Sequence, residues 1–288
     1  MRMPVPPALI ASRGQVLAFR LDSHHLTERL PPGSLLRAAA ACGLQDSPPG
    51  SAALALHARV ARLTPTDVVR ALAVDKTLVT MWSMRGSPYL FPARDAAPFT
   101  LGLLPEDEAS LRFFLLGMEQ GLERMGMSAT EVVAHTELAV HHVLDGRVVS
   151  NKQQLDHELA GWVARRLTAV QLAVWNSPSP YAENQSLGEA LVSFALRPLS
   201  LQGRICFAPR TGTGASFVRF DQWVGEPMPA AHSQQARAEL VRRYLRCYGP
   251  STSGHFAEWA GISPAQAGRM WRLVAHLAAI RQPGRSDI

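Results

Sequence analysis

The sequence predicts an α+β fold in which helix predominates. Three observations carry this reading. Segments with apolar residues at helical spacing, such as SLRFFLLGMEQGLERMG and QQARAELVRRYLRCYG, recur along the chain. Short β-branched or alternating runs interrupt them at 77–83, 203–207 and 215–220. Hydrophobic residues make up 47% and charged residues 18%, enough apolar side chain to offset the entropy of folding.

Residues 15–21 (QVLAFRL) precede a short polar helix candidate, HHLTERL, which ends at Pro31-Pro32-Gly33. Ser34 is placed to cap LLRAAAACGL. After Gln45-Asp46-Ser47-Pro48-Pro49-Gly50, Ser51 is placed to cap AALALHARVARL. Thr64-Pro65 opens TPTDVVRALAV, with Asp67 in the first turn, where the helix dipole favours an anion. TLVTMWS and Tyr89-Leu90-Phe91 read as two strands around a turn at Met84-Arg85-Gly86-Ser87-Pro88. Three helices followed by a two-stranded ribbon is the order of a winged helix-turn-helix.

The pattern recurs. A helical connector (107–142) leads through Val148-Val149-Ser150 to NKQQLDHELAGWVARRLTAVQLAVW, a Pro/Ser loop at 177–180 and a helix at Leu187–Leu196. Gly203–Phe207 and Ala215–Phe220 alternate with period two around Pro209-Arg210-Thr211-Gly212-Thr213-Gly214, a hairpin with a glycine-rich tip. A third unit begins near Ser233, with a break at Pro250-Ser251, a short helix HFAEWAG and Ser263-Pro264 opening AQAGRMWRLVAHLAAI. The expected organisation is a first module at 12–105, a helical connector at 106–142, a second module at 143–230, a helix-turn-helix at 231–280 without its wing, and a polar tail at 281–288.

The chain has 288 residues, which is about two domains at roughly 100–200 residues each. No stretch reaches the ~18–20 apolar residues of a membrane span, and the N-terminal MRMPVPPALIASRGQ has no long apolar segment of a secretory signal. Cys42, Cys206 and Cys247 are far apart, which argues against a disulfide framework or a CxxC zinc site and for a reducing cytoplasm. The net charge is +6, and only Lys76 and Lys152 among the 29 basic residues are not arginine. GC-rich codon usage accounts for such a bias. A nucleic-acid partner is the functional alternative, because guanidinium makes bidentate contacts to phosphate.

Trp82-Ser83-Met84-Arg85-Gly86-Ser87-Pro88-Tyr89-Leu90-Phe91-Pro92 resembles a W-x-M-R-G-T-x-H-L-x-P wing, with Tyr89 at the histidine position. That wing belongs to the winged-helix DNA-binding family that includes bacterial alkyl-DNA glycosylases of the azinomycin-resistance and crosslink-unhooking types. Gly203–Pro209 with Phe217–Trp223 looks like the family's second wing, and Arg242–Pro250 looks like the start of its third winged helix. The resemblance covers about residues 12–280. It implies tandem winged helix-turn-helix modules with short β-hairpin wings. Family members continue into a third wing and a β-barrel; here Arg281–Ile288 is unlike that continuation, so the chain reads as C-terminally truncated, with the barrel absent.

The family's glycosylases carry a Q-x-Q or Q-x-D motif after the second helix, which holds the attacking water and supports a cationic transition state. The matching segment reads Gly43-Leu44-Gln45-Asp46-Ser47. Aligned without gaps, Gln45 takes the first position and Ser47 the second, and on a helical backbone Asp46 points about 100° away. Slipped by one, Asp46 fills the acidic position and Leu44 replaces the glutamine. The resemblance thus makes Gln45, Asp46 and Ser47 the candidate catalytic residues. Read without it, Gln45 and Asp46 are a polar helix end and an Asx-turn before Pro48-Pro49. Arg85 in the first wing and Arg210 at the tip of the second are candidate DNA contacts. Arg204 and Arg219 are further candidates, with pairing to Asp221 or Glu226 as the alternative.

Other chemistries find little support. His24-His25 and His141-His142 are adjacent pairs that diverge on a helix, so no metal site is expected. Ser47 and Ser51 near His57 lack a G-x-S-x-G elbow. Gly212-Thr213-Gly214 lacks the GK[ST] of a phosphate loop. The tryptophans fall on apolar faces and are expected in the core. The expected function is double-stranded DNA binding, related to glycosylases that excise bulky or alkylated bases by hydrolysing the N-glycosidic bond, in a bacterial cytoplasm. The alternative is a non-catalytic DNA-binding protein or transcriptional regulator with a degenerate motif. No small-molecule cofactor and no membrane partner is expected, and no oligomeric state follows.

Overall fold

The two hairpins legible in the sequence meet in one antiparallel sheet. The computed structural model describes residues 9–211, 214–228, 233–274 and 280–281. The described chain opens with β1 (Leu9–Ile10) and α1 (Arg13–Ser23). A reciprocal capping box between Ser12 and Gln15 starts α1. The polar helix expected at HHLTERL does not form. Residues 24–30 are turns and irregular chain, because α1 begins upstream and His25 takes a left-handed φ of 55° just past its end.

Next come α2 (Leu35–Ala40), β2 (Leu44–Gln45), α3 (Ser51–Arg59) and α4 (Pro65–Ala73). Ser34 makes no side-chain cap to α2, since its backbone is not extended. Ser51 lies inside α3, whose cap comes from elsewhere. Thr64, Pro65 and Asp67 form the expected start of α4, as a full capping box.

β3 (Leu78–Trp82) and β4 (Pro88–Pro92) pair antiparallel around a 3-10 turn at Met84–Gly86. After α5 (Ala96–Phe99), the helical connector resolves into α6 (Glu108–Phe114), α7 (Glu119–Met125) and α8 (Ala129–Val143). Then follow α9 (Lys152–Ala164), α10 (Ala169–Trp175) and α11 (Leu187–Leu201). α11 runs past the expected Leu196 and through Pro198, because packing of its buried surface outweighs the lost backbone bond. β5 (Ile205–Thr211) and β6 (Gly214–Arg219) form the second hairpin, and α12 (Phe220–Val224) follows. The tip residues Gly212 and Thr213 lie outside the described residues, as do 275–279 of the last expected helix and 282–288 of the tail.

α13 (Ser233–Tyr248), α14 (Ser253–Ala260) and α15 (Pro264–Arg272) lie in the segments expected to be helical after Ser233, with Thr252 rather than Ser251 as the cap of α14. β7 (Ile280–Arg281) pairs in parallel with β1.

The larger sheet has the order β2-β4-β3-β5-β6. β3 is buried along its whole length, which explains its continuous apolar run. Leu78 and Leu90 face a small core with Leu44, Leu56, Val60 and Val68. Val79, Met81, Tyr89 and Phe91 face the main core, built on α8, α9, α11 and α13 to α15. The free edge of β3 is taken by β5 at Thr80 and Phe207. Trp82 fixes this junction. Its ring lies 4.5 Å from that of Phe207 and 5.6 Å from that of Phe217, and its backbone N–H donates to Ser200 Oγ of α11 at 3.0 Å.

Trp175 is buried, whereas Trp162, Trp223, Trp259 and Trp271 are half-buried at the edge of the main core. The three cysteines are buried and free. No described helix is long and apolar enough to cross a membrane.

Candidate active site and nucleic-acid interface

Gln45 reaches its position as a strand residue, not as a helix end. β2 pairs antiparallel with β4, so Leu44 lies opposite Leu90 and Gln45 opposite Tyr89. The strand alternation puts Leu44 into the small core and turns Gln45 to the other face, beside Tyr89. The 100° offset that a helical backbone would give Asp46 does not apply here.

Arg85 meets Gln45 from the turn between β3 and β4. Its backbone is left-handed (φ 56°), as is that of Gly86 (φ 61°), which reverses the chain within three residues. Arg85 Nη2 donates to Gln45 Oε1 at 2.9 Å and to Tyr89 Oη at 2.7 Å. Tyr89 Oη donates to Gln45 Oε1 at 3.4 Å. Arg85 Nη1 donates to the Trp259 carbonyl at 2.7 Å, at the end of α14. Gly261 follows with a φ of 72°, and a Cβ there would stand 2.6 Å from Arg85 Cα. The end of α14 therefore presses directly on the turn that carries Arg85.

Burial pushes the Tyr89 phenol above its usual pKa, despite the Arg85 charge beside it. At neutral pH Tyr89 is a hydroxyl donor and not a base. Among the described residues no carboxylate hydrogen-bonds to Gln45, Arg85 or Tyr89.

Asp46 turns the other way. Its Oδ1 accepts from the N–H groups of Gly50 at 2.8 Å and Ala52 at 3.1 Å, capping α3. Ser51 Oγ donates to the carbonyls of Gln45 at 3.0 Å and Pro48 at 2.7 Å, tying the loop to the helix. Ser47 is exposed between them. Of the three candidate catalytic residues, only Gln45 joins the Arg85 cluster.

The other candidate arginines surround the second hairpin. Arg204, just before β5, pairs with Glu137 of α8 at 2.7 Å. Arg219 is held by Asp145 at 3.1 Å and by both oxygens of Asp221. The hydrogen bond to Asp221 raises the Arg219 pKa and lowers that of Asp221. Arg210 is exposed on β5 next to the tip. The alternative pairing of Arg219 with Asp221 is realised, while the acid that meets Arg204 comes from the connector.

Among the described residues no group of three or more His, Cys, Asp or Glu is placed to hold a metal ion. His57 bonds the Leu63 carbonyl through Nδ1, and His24 packs edge-on against Tyr248. Two described depressions, about 930 Å³ along the 176–186 loop and about 360 Å³ between α8 and α9, contain none of the candidate residues. The contacts from Tyr89, Trp259 and Gly261 escape the sequence reading. The Tyr-for-His change in the first wing was the one signal available for them.

The family model "DNA glycosylase AlkZ-like" matches residues 38–286. The chain is 25% identical over 261 residues to an interstrand DNA cross-link repair glycosylase of Streptomyces sahachiroi, a match covering 88% of this chain. It spans 62% of that relative's length. Its fold is similar to the solved structure of the Streptomyces sahachiroi DNA glycosylase AlkZ, with a TM-score of 0.72 at 23% identity, covering 96% of this chain and 69% of that one. With the family model matched over residues 38–286, Gln45 among them, the chain belongs to the AlkZ-like DNA glycosylase family.

Proposed function

We propose that the protein is a DNA glycosylase that releases bulky or alkylated bases from duplex DNA by hydrolysing the N-glycosidic bond. The observation that carries this reading is the Gln45 carboxamide, held by Arg85 and Tyr89 where the first hairpin meets α14. Each hairpin with its preceding helices is a winged-helix module in this reading, and α13 to α15 form the third helix-turn-helix.

The reaction passes through an oxocarbenium-like state and needs an oriented water and negative potential near the sugar; a base alkylated at a ring nitrogen leaves as a neutral molecule, and the proton of the attacking water passes to solvent. A carboxamide oxygen supplies both, without a full charge. In the free protein Oε1 is engaged by two donors. A DNA phosphate competes for the Arg85 guanidinium, since a charge-assisted bond to phosphate is stronger than one to a neutral amide. Drawing Arg85 towards phosphate releases Gln45 Oε1 for the water. Asp46 keeps the Gln45 loop in place through the α3 cap, with Ser47 beside it on the exposed turn. Arg85 and Arg210 are the direct phosphate contacts, while Arg204 and Arg219 hold the second wing through their carboxylate pairs.

The test is base release from alkylated duplex DNA under single-turnover conditions. The wild-type protein releases free base and leaves an abasic site. Absence of release across a panel of alkylated and crosslinked duplexes refutes the glycosylase reading, whether or not the protein binds DNA.

A further inference from the structure

The face of α11 that meets α9 carries Glu189, Ser193 and Arg197, each one helical turn after the last. The first two meet polar partners. Glu189 Oε1 lies 2.8 Å from His157 Nδ1. Ser193 Oγ accepts from Lys152 Nζ at 2.6 Å, and the same ammonium pairs with Asp156. At Arg197 the pattern stops. Among the described residues no carboxylate, carbonyl or hydroxyl hydrogen-bonds its guanidinium, which lies over the Phe194 ring at 5.4 Å. Burial alone acts on this group, lowering its pKa with no acid to offset the cost.

The guanidinium is backed by the turn that carries Arg85. A Cβ on Gly86 would stand 3.1 Å from Arg197 Cδ and 3.5 Å from its Nε. Gly86 therefore lets Arg197 lie flat against the turn, one residue from the side chain that holds Gln45. Arg197 thus lies against the residue that follows Arg85 in the chain, and the Lys152 ammonium is close enough to Arg197 to feel its charge.

A half-buried cation without an anionic partner is costly to keep, and an apolar side chain of similar size in its place is neutral or stabilising for the fold. Its place in the cluster argues for an anion supplied from outside. We propose that Arg197 is a phosphate-binding residue: with Arg85 it takes a backbone phosphate of the DNA strand whose sugar faces Gln45, and so positions the nucleotide for the reaction. The proposal rests on the DNA-acting reading above but does not require that the protein release a base. A phosphate seated between the two arginines is held in a bidentate manner and completes the charge balance that α11 leaves open.

The experiment compares wild type with Arg197→Met and Arg197→Lys. Binding is measured to a duplex of about 20 base pairs with a tetrahydrofuran abasic site, across a salt series. Arg197→Met is expected to bind about tenfold more weakly at moderate salt, as fits the loss of one charge-assisted contact. The slope of log affinity against log salt should fall by about one. Its thermal midpoint should stay equal or rise, whereas loss of an arginine on which the fold depends would lower it. Arg197→Lys should keep the slope and recover part of the affinity. A methylphosphonate next to the abasic site should weaken wild type more than Arg197→Met, which keeps only the Arg85 contact to that phosphate. Wild-type affinity and slope in Arg197→Met, or weaker binding explained by a lower midpoint that Arg197→Lys restores, overturns the proposal. Base release is measured separately, so a protein that binds as expected but releases no base refutes only the glycosylase reading.

Discussion

The Arg85 guanidinium lies 2.9 Å from the carboxamide oxygen of Gln45, although 40 residues separate them in the chain. The contact couples three parts of the fold. Gln45 comes from an edge strand, Arg85 from a left-handed turn, and the second arginine nitrogen is anchored on the last turn of α14.

This coupling splits the effects of two substitutions. Gln45→Ala should lower single-turnover release by about 100-fold or more, the usual scale for losing one preorganised dipole aimed at developing charge. Its DNA affinity should stay within about threefold of wild type. Arg85→Ala should act mainly on binding and reduce the salt slope by about one. Equal loss of binding in both variants would show that Gln45 serves affinity and not chemistry.

Asp46 separates a cap from an acid. Asp46→Ala should lose about 1 kcal/mol of stability, read from thermal or denaturant melts, because the N–H groups of Gly50 and Ala52 at the start of α3 lose their acceptor. Asp46→Asn keeps an acceptor oxygen and should melt close to wild type. Both variants should release base at the wild-type rate per folded molecule. A well-folded Asp46→Asn protein without activity would assign the carboxylate to the chemistry after all.

Gly261→Ala should damage the site from outside it. The position needs a positive φ, and the new Cβ would meet the Arg85 backbone at 2.6 Å. A stability loss of about 1–3 kcal/mol is expected, with lower base release as Arg85 is displaced. Gly268→Ala, in open space on α15, is the matched control. Equal behaviour of the two variants would mean that the α14–α15 turn does not hold Arg85.

Glu108 should make stability depend on acid pH. Partial burial opposes its charge, but bonds from Thr130, Arg112 and the N–H groups of Ala129 and Thr130 outweigh it and hold the pKa at about 2. The folded value lies below the unfolded one, so the carboxylate stabilises the fold above about pH 4.5 and loses that effect as pH falls towards 2. Glu108→Gln should therefore be less stable than wild type at pH 7, with the gap closing below pH 4.5. A gap that is constant with pH would mean that the charge of Glu108 contributes nothing.

Much of this molecule was legible because its signals are local. The Thr64–Asp67 box, the Ser263-Pro264 start and the strands around Met84–Gly86 depend on neighbours within a few residues, so caps, turns and periodicity mark them. Local signals also misled where two choices competed. Ser12 captured the first helix and left HHLTERL as turns, and Asp46 took the capping role expected of Ser51.

By itself the sequence determined the family, most of the helices and the pair of hairpins, since those follow from motif residues and short-range backbone preference. Only the tertiary structure decided that the hairpins share a sheet through Thr80 and Phe207, that Gln45 faces Arg85 while Asp46 faces α3, and that Arg197 is left without an acid. These depend on strand register and on contacts between elements far apart in the chain. A one-residue change of register turns a side chain to the opposite face, and no local pattern in Gly43–Ser47 records which register β4 imposes.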